Sequence, residues 1–338
     1  MNNKKAFFGG LIIFFCITVF SQNDSTQNVK KYDFFSNIYP SFSATYSKKE
    51  KPWYGFEMNT AQIGFRTIIK KNIQGIILYN VTKTTSDISV FDTSNNSLMV
   101  QYFKGSDFTA FLKQAEIILT LSEKLELSMG QILSEQYLKV QDKFWDLRYV
   151  ALTMQEIYKF GHPADFGFSF SYKLGKFRFT STISNGEGPF YKQDKNGLIL
   201  YAVNAEYRPN KSLIIKWYSN VYPNQNKYSW THNFFTGFKT EKLKIGAEGT
   251  IIYNQNWIYN NNHSGISVFT NYKLNNTWSV FFREDYILKN NTLKDFSLSI
   301  FGFQFKYDES LLLSINQRLI KQNNNLLWQT FLSAGFKF

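Results

Sequence analysis

The chain is 338 residues long and carries 38 Lys and Arg against 25 Asp and Glu, a formal charge of +13. Its 35 Phe, 21 Tyr and 7 Trp make it 19% aromatic, yet mean hydropathy is only −0.30. One Cys and 6 Pro exclude a disulfide framework, and no collagenous, coiled-coil or disordered class fits.

The first residues have the form of a targeting segment. Lys4 and Lys5 precede an apolar run over residues 6–20, and Ser21 offers a small residue just before Gln22. This pattern predicts a secretory signal peptide over 1–21, too short and wrongly flanked for a spanning helix. Cys16 follows Phe15 rather than a small residue, which argues against lipid attachment. Residues 22–36 are polar and are expected to form a periplasmic tail or a partial strand. No later apolar run reaches the length of a transmembrane helix.

From residue 37 onward the dominant period is two. Ala164, Phe166, Phe168, Phe170 and Tyr172 share one face, opposite Asp165, Gly167, Ser169, Ser171 and Lys173. Phe177, Phe179 and Ile183 oppose Arg178, Thr180 and Thr182. Leu243, Ile245, Ala247 and Ile251 oppose Lys244, Glu248 and Thr250, and Phe301, Phe303 and Phe305 oppose Gly302, Gln304 and Lys306. Such stretches are strands with one apolar and one polar side. Short polar turns, such as Lys71-Asn72 and Gly175-Lys176, alternate with longer connections, including 84–107, 136–163, 185–196 and 223–230. Short turns at one end and long loops at the other, over about sixteen strands, predict an all-β transmembrane antiparallel β-barrel over 37–338. A soluble sandwich or propeller also alternates. It would not place Phe, Tyr, Ile and Leu on nearly every strand with Tyr and Trp at the strand ends (Tyr172, Trp217, Tyr253, Trp278).

The connection over 136–163 follows the fifth strand. Phe144, Leu147, Ala151, Met154 and Tyr158 recur in it at helical spacing. Asp142 is expected to cap a short amphipathic helix there, and Gly161 with Pro163 to end it. The chain finishes on an amphipathic stretch in which Leu332, Ala334, Phe336 and Phe338 alternate with Ser333, Gly335 and Lys337.

Three central stretches are the most distinctive: Phe144-Trp145-Asp146-Leu147-Arg148-Tyr149-Val150, residues 158–167 with Gly161-His162-Pro163, and Asn185-Gly186-Glu187-Gly188. With the overall layout they resemble the porin family of Gram-negative outer membranes, loosely the phosphate-selective porins. No phosphate-coordinating loop residue can be matched one by one. The resemblance implies a passive channel for small solutes in outer-membrane lipid, often trimeric, with the third long loop folded inward to narrow the pore. It also implies that the terminal strand ending in Phe338 is read by the outer-membrane assembly machinery.

Charge is expected to act from the lumen wall. The alternation places Arg66, Arg178, Arg208, Lys216, Arg283 and Arg318 inward, with Lys173, Lys244, Lys273 and Lys306. Fewer acids face inward: Asp165, Glu206, Glu248 and Asp285. Arg148, with Asp142, Asp146 and Glu156, would charge the constriction. This balance predicts a weakly anion-preferring lumen, although lysines near the short turns can equally meet bulk solvent. Bulky Leu200, Phe235, Phe269, Phe281 and Phe331 also face inward, which leaves a closed structural barrel or a carrier of lipophilic solutes as alternatives. A nucleic-acid partner is excluded by the compartment. A lipase-like outer-wall enzyme would need a serine beside His232, and spacing assigns none. His162, His232 and His263 do not cluster with other ligands, so neither metal nor cofactor is expected.

Overall fold

The computed structural model describes residues 31–47, 51–83, 90–92, 97–99, 108–189, 197–289, 293–322 and 325–338. The alternating stretches form sixteen antiparallel strands closed into a barrel. In chain order they are β1 Lys31–Ser47, β2 Trp53–Lys70, β3 Ile73–Lys83, β4 Phe108–Thr120, β5 Leu125–Leu133 and β6 Ala164–Leu174. There follow β7 Phe177–Ser184, β8 Leu200–Tyr207, β9 Leu213–Asn224, β10 Lys227–Lys239 and β11 Leu243–Tyr253. The last five are β12 His263–Lys273, β13 Trp278–Lys289, β14 Leu293–Lys306, β15 Leu311–Gln322 and β16 Asn325–Lys337. Each strand pairs with its neighbour in sequence, and β1 pairs with β16, so no edge is left open. A small hairpin, Val90–Asp92 with Ser97–Met99, lies in the connection between β3 and β4.

The polarity is inverted relative to a water-soluble protein. On β6 the outward Phe166, Phe168, Phe170 and Tyr172 are exposed, while the inward Ser169 and Ser171 are buried. Every strand exposes at least one large apolar side chain outward, from Ile63 on β2 to Leu332 on β16. Such a belt is stable only against hydrocarbon or another apolar surface.

Two boundaries differ from the sequence expectation. β1 begins at Lys31, so the strand takes in residues 31–36 of the stretch expected as a tail or a partial strand; they pair with β2 from Lys31↔Ile68 to Ser36↔Ile63. The adjacent Phe34 and Phe35 hide the alternation: Phe34 points out, and Phe35 packs inside over Gly64, where a Cβ would lie 2.2 Å from the ring. The connection expected over 223–230 shrinks to a two-residue turn, since Asn224 pairs directly with Lys227. Residues 1–30, which hold the expected signal peptide, lie outside the described residues.

One glycine is demanded by the sheet itself. Gly130 on β5 has φ +117°, and a Cβ there would lie 2.1 Å from the carbonyl oxygen of Ala115 on β4. Gly130→Ala is expected to destabilise the barrel by about 1–3 kcal/mol, read as a lower urea midpoint in the loss of heat-resistant gel mobility.

Candidate functional site

The connection between β5 and β6, residues 134–163, enters the barrel. Its base is closed by the Ser134 N–H donating to Pro163 O at 2.9 Å. A wide helical turn, Leu138–Asp142, runs into Lys143–Trp145, and a second helical turn follows at Met154–Ile157. The expected short helix is therefore present in two pieces, broken where Asp146 takes a left-handed conformation, φ 58°. Asp142 caps nothing; its carboxylate accepts from Arg148 at 2.8 Å.

The helical spacing in this loop reports packing against the wall. Trp145, Leu147, Tyr149, Val150 and Ala151 form one buried cluster with inward wall residues that include Phe235, Phe269 and Phe281. Trp145 meets Phe269 edge-on at 5.2 Å between centroids and Phe281 at 6.3 Å. These phenylalanines, a puzzle for a polar lumen, are the seat of the loop.

Polar ties hold the loop as well. The Lys216 ammonium on β9 donates to Gln136 O at 2.7 Å and to Gln141 Oε1 at 2.8 Å. Gln141 donates to Asn233 on β10 at 2.7 Å, and Gln155 donates to Glu248 on β11 at 2.7 Å. Arg283 and Arg318 donate to the loop carbonyls of Leu152 and Val150. Asp146 pairs with Lys244 at 2.9 Å.

Within the loop, Arg148 bridges two carboxylates, Asp142 at 2.8 Å and Glu156 at 2.6 Å. Burial works against the charge of Glu156, but Arg148 and Lys113 outweigh it and hold its carboxyl below the usual range. Glu135 at the loop base behaves alike: burial opposes its charge, and Lys139 and Arg178 overcome that. Its ion pairs measure 3.0 Å to Lys139 and 3.5 Å to Arg178.

The expected wall charges divide into four groups. Arg66 and Arg178 lie on the inner face, each matched by acids: Arg66 with Asp33 at 3.6 Å, and Arg178 with Glu206 at 3.2 Å and Glu135 at 3.5 Å. Lys216 and Arg283 point inward but line no open lumen, because the loop buries them to 0% and 1% exposure. Arg283 is clamped by Asp285 at 2.6 Å. Arg208 is not on the wall at all. It follows the end of β8 in a short turn, more than half exposed, and pairs with Glu206 at 3.0 Å. Arg318 lies 3.6 Å above the ring of Phe331. Asp165 accepts from the backbone N–H groups of Gly186 and Gly188, so it anchors the next long loop instead of facing solute.

Lys113 on β4 escaped the sequence reading. It is 3% exposed, within electrostatic reach of Arg148 and Glu156. A bulge where β4 meets β3, at Leu78/Tyr79, shifts the alternation there by one. Around the barrel, inward side chains such as Ser43, Thr60, Glu116, Asn204 and Asn316 are all 3% exposed or less. Loop and wall together fill the middle of the lumen. On the side of the long loops a vestibule of about 1340 Å³ remains, lined in part by Tyr137, Tyr218, Asn220, Tyr222 and Trp257.

His232 on β10 faces outward, and its register partner on β9 is Ser219, but no hydrogen bond joins them. The imidazole sits between Trp230 and Tyr253 instead. Among the described residues no three His, Cys, Asp or Glu side chains are grouped to hold a metal ion.

No family model matches the chain, and no curated protein does. Solved structures do. OmpF of Salmonella typhi, in a complex with daunomycin, is 10% identical with a TM-score of 0.65, covering 92% of this chain and 98% of that one. An anion-selective porin from Comamonas acidovorans is 10% identical, TM-score 0.64, covering 91% and 100%. OprB of Pseudomonas putida is 11% identical, TM-score 0.64, covering 91% and 94%. At these identities the likeness is one of fold.

Replacing the cation of the loop triad leaves two half-buried carboxylates without their partner. Arg148→Met is expected to cost about 3 kcal/mol and to open residues 138–157 to limited proteolysis while the barrel stays folded. The pH dependence has a definite sign. Glu135 and Glu156 are depressed in the folded state, so their stabilisation is complete above the ordinary Glu value and is lost as pH falls through the lower, folded one. Protease resistance of the loop should hold from pH 7 to 5 and fail only below about 4.

Proposed function

We propose that the protein is a porin-like passive channel of a Gram-negative outer membrane, carrying small hydrophilic solutes past a loop that narrows its lumen. The observation that carries this reading is the third long loop bound inside a sixteen-stranded barrel whose belt is apolar outside and whose wall is polar inside. Diffusion through a barrel of this strand number is limited by what lines and fills it.

The preference for anions is weak. Arg66, Arg148, Arg178, Arg208 and Arg283 each face a carboxylate, which cancels most of the field they would exert. Arg318, held by a carbonyl and a phenyl ring, is the wall charge that acts on solute. Outward Phe34, Tyr54 and Phe56 on β1 and β2, 74%, 76% and 90% exposed, supply a surface for lipid or for another copy of a homotrimer. Phe338 closes the barrel through paired backbone bonds with Ser36 and leaves its ring free for the assembly machinery. Export by residues 1–21 rests on the sequence pattern alone.

A second reading, a barrel closed at rest, is favoured by the burial of the mid-lumen wall. Planar-bilayer recording in a KCl gradient separates the two. The narrowed channel gives a small steady conductance, with a reversal potential favouring chloride that Arg318→Gln moves toward zero. Deletion of residues 138–157 raises the conductance several-fold in either reading. A silent wild type with a conducting deletion identifies the closed barrel, and silence in both overturns the channel.

A further inference from the structure

The vestibule on the long-loop side has the chemistry of a binding site. At about 1340 Å³ it is roomier than the ~300–1,000 Å³ usual for small-molecule pockets. Three of its four carboxylates are engaged as follows: Asp165 by the amides of Gly186 and Gly188, Glu156 by Arg148, and Glu135 by Lys139 and Arg178. A cationic ligand would give up its hydration for partners that are already neutralised.

Lys159 and Glu187 also line the space, but the wall that β7 to β10 present to it is neutral, its polar groups arranged in a row. Cross-strand register aligns Thr182 on β7, Ala202 on β8, Asn220 on β9 and Thr231 on β10 along one level of the inner wall. At a strand spacing of ~4.8 Å the row spans about 14 Å. Ala202 keeps it low in the middle. Asn220 donates one N–H to the Tyr218 hydroxyl at 3.0 Å, and among the described residues none donates to its carbonyl oxygen. At the rim, the rings of Tyr222 and Trp257 lie 5.0 Å apart, fixed by the indole N–H donating to Tyr222 O at 2.8 Å. Hydroxyl and amide groups along one wall, with rigid aromatic faces beside them, match a ligand that carries hydroxyls on its edge and C–H groups on its face.

We propose that this vestibule is a binding site for small neutral saccharides, with hydroxyls held by Thr182, Asn220 and Thr231 and a sugar face against Trp257. The inference rests on the channel reading only in that solute must reach the long-loop mouth.

The test is titration calorimetry on the full folded protein in detergent, with maltose and glucose as probes and sodium sulfate and choline chloride as charged controls. Saturable binding of a sugar in the millimolar range is expected, with none for the controls. Trp257→Ala and Asn220→Ala should each weaken it about tenfold, as the loss of one good contact does. Trp217→Ala, on the outer wall, should leave it unchanged. Thr231→Val, nearly isosteric, provides a variant that keeps the fold if the loop around Trp257 rearranges. No saturation with either sugar, tighter binding of sulfate or choline, or full affinity in both Asn220→Ala and Thr231→Val would overturn the proposal. The readout is independent of conductance. Binding without conductance sinks the channel and keeps the site, and conductance without binding does the reverse.

Discussion

Closure of the hydrogen-bond ladder between β1 and β16 is the constraint on which everything else depends. In hydrocarbon an unpaired backbone N–H or C=O costs several kcal/mol, so a spanning sheet is viable only without edges. Here the seam runs from Ser47↔Leu327 to Asn37↔Lys337 and is finished by reciprocal bonds between Ser36 and Phe338. Once the ring closes, period-two alternation has only one consistent outcome. Apolar side chains face outward and polar ones are driven into a shared interior, because a slip of one residue would invert every strand.

That interior then has to be satisfied. Buried charges are tolerable when paired and hydrogen-bonded, and costly otherwise. The wall pairs Arg283 with Asp285 and Arg178 with Glu206, and the third loop supplies much of the rest: carbonyls for Lys216, Arg283 and Arg318, and an amide for Glu248. The loop also brings its own apolar surface to the inward phenylalanines. The barrel thus has a core after all, made between one loop and one side of its wall. Arg148, with Asp142 and Glu156, keeps the loop a compact body by bonds internal to it, so that it is seated as a unit.

Much of this was legible in the sequence, because alternation is a local signal. The strands, the short turns, the position of the long loop after the fifth strand and the inward set of most arginines all follow from a period of two. What escaped is what is not local. Phe34-Phe35 and the bulge at Lys113 interrupt the alternation, and only the partner strands settle which way those side chains turn. The loop's helical spacing reads as one helix, but a left-handed Asp146 breaks it, and the spacing is explained by the wall behind it. Arg208 belonged to the inward parity, yet the strand ends one residue earlier, beside Pro209. Contacts such as Gln141 with Asn233, 92 residues apart, leave no trace in spacing.

The same distinction governs charge. A formal +13 invites the reading of an anion pathway. Net charge, however, describes the whole surface, whereas selectivity is set by unmatched charge where solute passes. Much of the excess sits on exposed lysines at the short-turn end, among them Lys71, Lys124, Lys176, Lys211 and Lys242, where salt screens it. Inside, each arginine that could project a field is answered by a carboxylate within 4 Å, except Arg318. Pairing is required there because the loop removes water from the middle of the barrel, so the filling of the lumen and the pairing of its charges have one cause. On the side of β7 to β10 the vestibule beyond the loop has a neutral wall, and its chemistry there is left to hydroxyls, amides and rings.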